Sequence, residues 1–297
     1  MQIRKIITAS ALFLSLFLLD ACAIPQSAGP SADGKISVVA SFYPLAEFAR
    51  HVGGDNVIIT TIISAGTEPH DFEPTPQDIA KIRDARLFIY NGGTLDPWAG
   101  KIADELPVGV TALNMARSLG LDGADPHFWL DPVVAQKETE AIRNALIQID
   151  PAQTESYRQN AAAYSTKLAA LDKEYSTKLQ SCAGREIFTS HAAFSYLAKR
   201  YNLTQSSIAG LSPDAEPSAR QLAELADSAK AKNIKYIFFE TLASPKLAQT
   251  LAEATGAKTL VLNPLEGLTA DEVKSGRDYI SVMQDNLANL TLALNCR

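Results

Sequence analysis

Four histidines occur in the 297 residues, and three of them stand in similar surroundings. His70 lies in Gly66-Thr67-Glu68-Pro69-His70-Asp71, after a β-branched run and before a helix start. His127 lies in Asp125-Pro126-His127-Phe128-Trp129, just ahead of a helical stretch, and His191 follows Ile187-Phe188-Thr189-Ser190 and is read as opening a helix. Neutral imidazole is the commonest side-chain metal ligand. Three imidazoles and one carboxylate make a tetrahedral shell that suits Zn²⁺. Two glutamates compete for the fourth place. Glu266, in Asn263-Pro264-Leu265-Glu266-Gly267, follows a short strand, and Glu240 ends the strand Ile234–Phe239. Glu240 has a second reading, as the acceptor that a metal-bound imidazole needs for its other N–H. Glu216 reads instead as a helix-start acid favoured by the helix dipole. His51 is read as a surface residue near a helix end.

These side chains need a framework, and the chain alternates strand-like and helix-like stretches. Strands are expected at Lys35–Ser41, Val57–Ile63 and Arg86–Tyr90, with a helix at Pro44–Val52. Thr75-Pro76-Gln77-Asp78 is a helix start, with a capping Thr, Pro at the first helical position and an acid in the first turn. That helix should run to about Asp84, and another spans Pro132–Ile149. Asp150–Gln180 has no Gly and one Pro, at its start, and reads as one long helix, or as two with a bend. The alternation then resumes, with strands at Glu186–Thr189, Ile234–Phe239 and Thr259–Leu262. Helices are expected at Ala192–Tyr201, Pro217–Ala231, Pro245–Thr255 and Tyr279–Leu294. The fold class is therefore α/β: two lobes, each a mainly parallel sheet flanked by helices, joined by a rigid helix. In such sheets ligands bind at the loops beyond the carboxyl ends of the strands, where all three histidines fall. The expected division is 35–150, 151–181 and 182–297.

A length of 297 suits two domains, and 46% hydrophobic with 20% charged residues is a globular composition. The net charge of −6 and the lack of a basic run argue against a nucleic-acid partner. Residues 1–21 read as an export signal: Arg4 and Lys5, then a largely apolar run from Ile6 to Leu19 that is too short to span a bilayer comfortably. The run closes on Leu19-Asp20-Ala21-Cys22, similar to a bacterial lipoprotein cleavage box, which would make Cys22 the lipidated first residue. Asp20 departs from that pattern. Residues 22–34 are small, polar and Pro/Gly-containing, as in a flexible tether. Cys182 and Cys296 would form a disulfide in an oxidising compartment; two buried thiols or a metal pair are the alternatives.

Taken together, Gly66–His70 with its Pro-Thr-Pro helix start, Asp125–Pro132, Thr189–Phe194, Ala215–Ser218 and Phe238-Phe239-Glu240 resemble the zinc and manganese solute-binding lipoproteins of bacterial ABC importers. The resemblance covers essentially the whole chain. It implies two α/β lobes joined by a long helix with the metal between them, and His70, His127 and His191 as nitrogen ligands. His at the third position is similar to the zinc members; manganese members typically carry Glu there. Many members have Asp where Asn263 stands. The Asn-Pro-Leu-Glu-Gly-Leu-Thr stretch is instead similar to the zinc lipoproteins of Gram-positive bacteria, which use the Glu, and so favours Glu266 over Asn263. The resemblance further implies Zn²⁺ as cargo rather than Mn²⁺, an ABC permease as partner, a monomer, and a lipid-anchored position on the outer face of the cell membrane. The short Ser118–Pro126 segment lacks the His-rich loop of some members, so metal scavenging by such a loop is not expected.

Two other functions compete. A zinc hydrolase would keep one coordination position open for water and could use Glu240 or Glu68 as base, but the chain has no His-Glu-x-x-His helix. A surface adhesin fits lipid anchoring and leaves the His–Glu set unexplained. The expectation is a binding protein, not an enzyme.

Overall fold

The computed structural model describes residues 34–215 and 217–297. The expected signal segment, Cys22 and residues 22–33 of the tether lie outside the described residues, as does Glu216. Among the described residues no helix is long and apolar enough to cross a membrane.

The first lobe runs β1 (Ile36–Ala40), α1 (Tyr43–Gly53), β2 (Val57–Thr61), α2 (Pro76–Arg83), β3 (Leu87–Tyr90), α3 (Pro97–Ala103), β4 (Thr111–Asn114), α4 (Met115–Leu119) and α5 (Pro132–Ile149). After α6 (Thr154–Gln180), the second lobe runs β5 (Glu186–Thr189), α7 (Ser195–Arg200), β6 (Thr204–Ser207), α8 (Ala219–Ala231), β7 (Tyr236–Phe239), α9 (Lys246–Thr255), β8 (Lys258–Val261), α10 (Ala270–Lys274) and α11 (Tyr279–Ala293).

Each lobe holds a four-stranded parallel sheet, ordered β2-β1-β3-β4 and β6-β5-β7-β8. The two orders are the same, so the lobes repeat one topology although no short sequence period betrays it. The inner strands are the apolar ones: β3 is buried at every residue and β1 at all but one. That is the composition of strands covered on both faces. The edge strands β4 (TALN) and β6 (TQSS) are short and polar, and they were not anticipated from the sequence.

α2 begins as expected: Thr75 accepts from the Asp78 N–H, and Asp78 returns the bond to the Thr75 N–H, a capping box. The long helix differs in one respect. It starts at Thr154, after a separate 3₁₀ turn at Pro151–Gln153. Pro151 lacks the N–H that would continue a helix from α5. The remaining 27 residues span about 40 Å. Their buried positions Tyr157, Ala161, Tyr164, Leu168, Leu171, Tyr175 and Leu179 recur every three or four residues, one stripe along the helix. That stripe lies against both lobes: Asn160 donates to Val52 O at 3.1 Å, and Tyr175 OH donates to Met283 O at 2.6 Å.

The main core is continuous through β1, β3, α1, α5, α6, α7 and α11, and a smaller cluster packs α8 and α9 onto the second sheet. A disulfide joins Cys182, just past α6, to Cys296 beyond α11, at a sequence separation of 114. It closes the second lobe at the end remote from the carboxyl ends of its strands.

Candidate metal centre

His70, His127, His191 and Glu266 meet between the lobes, each offering one donor atom. His127 and His191 are fully buried, and Glu266 is 2% exposed. His127 Nε2 lies 3.3 Å from His70 Nε2 and 3.4 Å from His191 Nε2. Glu266 Oε1 lies 3.1 Å from His127 Nε2 and 3.3 Å from each of the other two Nε2 atoms. Zn–N and Zn–O bonds of about 2.0–2.1 Å place tetrahedral ligands about 3.3–3.4 Å apart. The observed spacings are those of a tetrahedron's edges.

The fold aims each donor. His127 stands at the head of the 3₁₀ turn Phe128–Leu130. Its Nδ1 lies 2.8 Å from Asp125 Oδ1, and its backbone N–H donates to the same oxygen at 3.0 Å. His191 Nδ1 lies 2.6 Å from Glu240 Oε1, which also receives the Ser190 hydroxyl. An ionised carboxylate only accepts, so both rings carry a proton on Nδ1, and each Nε2 faces the cluster as a lone pair for a cation or, on a charged ring, as an N–H donor to Glu266. Two facing lone pairs repel unless a cation or a proton lies between them. His70 is held through its backbone: its N–H donates to Glu68 Oε2 at 3.0 Å.

Glu266 is carried by an unusual loop. Leu265, fully buried, has φ of 56°, a left-handed conformation that a branched residue adopts only under constraint. The constraint is Asn263. Its Oδ1 accepts the Leu265 N–H at 2.8 Å, while Asn286 bonds the Asn263 N–H and carbonyl at 2.8 and 2.7 Å. Asn263 therefore shapes the loop, and its own amide faces Glu272. The loop also meets the first lobe, where Gly66 N–H donates to Leu268 O at 2.8 Å. A Cβ on Gly267 would come within 3.1 Å of Leu242 and 3.7 Å of Thr67 O.

The charges are mutually supporting. Burial works against ionising Glu266, but hydrogen bonds from the three imidazoles outweigh it and hold the carboxyl well below the usual range. Burial likewise opposes charging the rings. The carboxylates overcome it, raising His127 through Asp125 and Glu266, and His191 to about 10 through Glu240 and Glu266. The cluster is thus built to hold positive charge beside Glu266, as protons or as a metal ion.

A family model described as the periplasmic component A of the zinc-uptake complex, ZnuA, matches residues 38–293. The chain belongs to this family. Among its relatives, the zinc-binding lipoprotein AdcA of Streptococcus pneumoniae is 43% identical over 300 aligned positions, 93% of this chain and 60% of that protein. The chain thus spans about three-fifths of that relative's length. The high-affinity zinc uptake system protein ZnuA of Bacillus subtilis is 42% identical, over 94% of this chain and 95% of that one. The crystal structure of the Zn(II)-bound ZnuA-like domain of Streptococcus pneumoniae AdcA superposes with a TM-score of 0.79 at 45% identity, covering 88% of this chain and all of that one.

In this ZnuA-family chain the sequence reading and the structure differ at several positions. His191 does not open a helix: α7 begins four residues later, at Ser195, and the His191 carbonyl instead accepts from Thr189 and Gln205. His51 is no idle surface residue. Its Nε2 lies 3.2 Å from Glu47 Oε1 and its ring stacks on Tyr164 with centroids 4.0 Å apart. Glu68 and two further acids, Asp71 and Asp214, gather at the rim beside His70. Asp125 escaped the sequence reading. An acid two residues ahead of a candidate ligand, in Asp-Pro-His, is the signal that could have found it.

Proposed function

We propose that this chain is an extracytoplasmic zinc-binding protein that captures Zn²⁺ and hands it to the permease of an ABC-type importer. In this reading His70, His127, His191 and Glu266 are the four ligands. The observation that carries it is the set of 3.1–3.4 Å spacings among three Nε2 atoms and Glu266 Oε1. Four protein donors fill a tetrahedron and leave no position for a reacting water, which fits carriage rather than hydrolysis. His at the third position and the zinc-named relatives favour Zn²⁺ over Mn²⁺. Glu240 acts as the acceptor that orients His191, and Asn263 as the loop-shaping residue.

The rest of the reading follows from the sequence. Residues 1–21 are a signal peptide, Cys22 carries the lipid anchor, and 22–34 tether a monomeric body divided at 35–150, 151–181 and 182–297. The deciding experiment is metal analysis and zinc titration of the mature chain as wild type, Glu266→Ala and Asn263→Ala. One zinc per chain, lost in Glu266→Ala, supports the assignment. A Glu266→Ala protein with full affinity, or a wild type that prefers manganese, overturns it.

A further inference from the structure

A cavity of about 1010 Å³ opens at the amino ends of β5, β7 and β8, the opposite end of that sheet from the metal cluster. Its lining carries Arg185, Lys232, Lys235 and Lys258, and Glu186 is the one acid among the described lining residues. On a chain of net charge −6 this groove is a local patch of positive charge. Lys232 pairs with Glu186, which also accepts from the Ser206 hydroxyl at 3.0 Å. Arg185 donates to the Leu179 and Gln180 carbonyls at 2.8 and 3.0 Å, at the negative end of α6. Lys235 donates to the Asn233 amide oxygen at 2.6 Å, and Lys258 starts the neighbouring strand, its N–H bonded to the Lys235 carbonyl at 2.9 Å. Both lysines are exposed, and among the described residues neither ammonium group pairs with a carboxylate. Another wall is fixed by the Cys182–Cys296 disulfide and by the Ala183 and Gly184 N–H groups, which donate to the Asn295 and Leu294 carbonyls at 3.3 and 2.9 Å.

We propose that this groove binds an extended phosphodiester polyanion of the cell envelope, one strand lying along it with successive phosphates on Lys232, Lys235 and Lys258. The cavity is at the upper limit of pockets for small ligands, which suits a chain rather than a single small molecule. Ammonium groups on flexible stems act as point charges and suit a row of phosphates. A flat bilayer meets the rim of a concave groove, whereas a single polymer strand enters it. Position separates the two anions as well. Asn56, just before β2, donates to Ser156 near the head of α6 at 3.0 Å, and β2 pairs with the start of β1 at Ile36. The groove lies at the other end of that helix, about 40 Å away. In the reading above the tether therefore leaves from the end opposite the groove, and the groove is directed at polymer beyond the membrane. The acidic remainder of the chain does not prevent this, because charges more than about 8 Å apart are screened at physiological ionic strength. A phosphate polymer gathers divalent cations around it, so docking would set the metal cluster in a zinc-enriched layer. That consequence rests on the zinc-binding reading; the binding itself does not.

The test uses the mature chain, with and without zinc, and poly(glycerol phosphate) as the probe. Wild type should bind the polymer, and log affinity should fall linearly with log salt. Lys235→Gln/Lys258→Gln should weaken binding about 10–30-fold at low salt and flatten the salt slope by about 1–2. Lys235→Arg/Lys258→Arg, which keeps the charge, should bind as wild type does. Lys101→Gln/Lys137→Gln, on exposed lysines of the first lobe, makes the same change in net charge and should leave polymer affinity unchanged. Zinc affinity should be the same in all four proteins. Vesicles of phosphatidylglycerol offer the same phosphodiester on a flat surface and should bind more weakly than the polymer.

Equal polymer affinity in wild type and Lys235→Gln/Lys258→Gln would overturn the proposal. So would an equal loss in Lys101→Gln/Lys137→Gln, which would make net charge the cause. Tighter binding to the vesicles, lost in the groove variant, would assign the groove to the membrane and overturn the polymer. A wild type that took up no zinc but bound the polymer through these lysines would sink the zinc-binding reading and leave the groove's role standing.

Discussion

The indole Nε1–H of Trp129 donates to the Pro264 carbonyl at 2.8 Å, joining the segment that bears His127 to the loop that bears Glu266. The bond is buried and crosses from one lobe to the other. On the other side of the same residue, Tyr279 OH donates to the Trp129 carbonyl at 2.6 Å. Two donors distant in sequence are thereby held in one register. Trp129→Phe keeps most of the ring packing and leaves Pro264 O without its buried donor. The expected cost is about 1–3 kcal/mol in denaturant unfolding, with faster zinc release. Unchanged stability would show that the carbonyl finds another partner.

Glu266 is separated from His127 by 139 residues yet lies 3.1 Å from its Nε2. Glu266→Gln preserves shape and removes the charge that three imidazoles surround. Zinc affinity should fall by more than about 100-fold, beyond the effect of losing an outer hydrogen-bond partner. Calorimetric titration reads this directly, and a fall of less than tenfold would deny Glu266 a place in the coordination shell.

The disulfide spans 114 residues, nearly the whole second lobe. Cross-linking so long a loop restricts the unfolded chain, and its removal should cost about 2–5 kcal/mol. A Cys182→Ser/Cys296→Ser variant should melt earlier while its zinc affinity stays near wild type, because the bridge sits at the far end of the second sheet. A large loss of affinity would mean that the lobe end and the site are mechanically linked.

Asp96 is fully buried in the first lobe, where its two oxygens receive the Asn91 and Gly92 N–H groups at 2.8 and 2.7 Å. Burial raises its pKa to about 6, against the hydrogen bonds from the Asn91 and Gly92 N–H groups that lower it. The folded value is above the unfolded one, so the folded state holds the proton more tightly. The stabilisation is complete below the unfolded pKa near 3.9 and disappears as pH rises through 6. Asp96→Asn removes this titration. The stability gap between wild type and Asp96→Asn should therefore narrow by about 2 kcal/mol from pH 4 to pH 7. A gap independent of pH would mean that Asp96 does not titrate in this window.

Much of this molecule is written in local pattern. The Thr75–Asp78 capping box, the Pro132–Ile149 helix and the inner strands follow from capping chemistry and unbroken apolar runs, which act over a few residues. The donors were legible too, because histidines are few and three of them fall in loops at strand ends. The edge strands β4 and β6 were not, since their polar residues pair only because a neighbouring strand offers a free edge. Nor was the shared strand order of the two lobes, which is a property of connections rather than of residues.

The amino-acid sequence alone determined which side chains could bind a metal and that α/β lobes would carry them. It could not rank Glu266 against Glu240 by pattern, because each follows a strand. What the tertiary structure sets is their placement: the strained backbone at Leu265, pinned by Asn263 and Asn286, turns Glu266 into the cluster, while Glu240 stands behind His191. Long-range geometry of this kind depends on how two packed bodies meet, and neighbouring residues along a chain do not encode it.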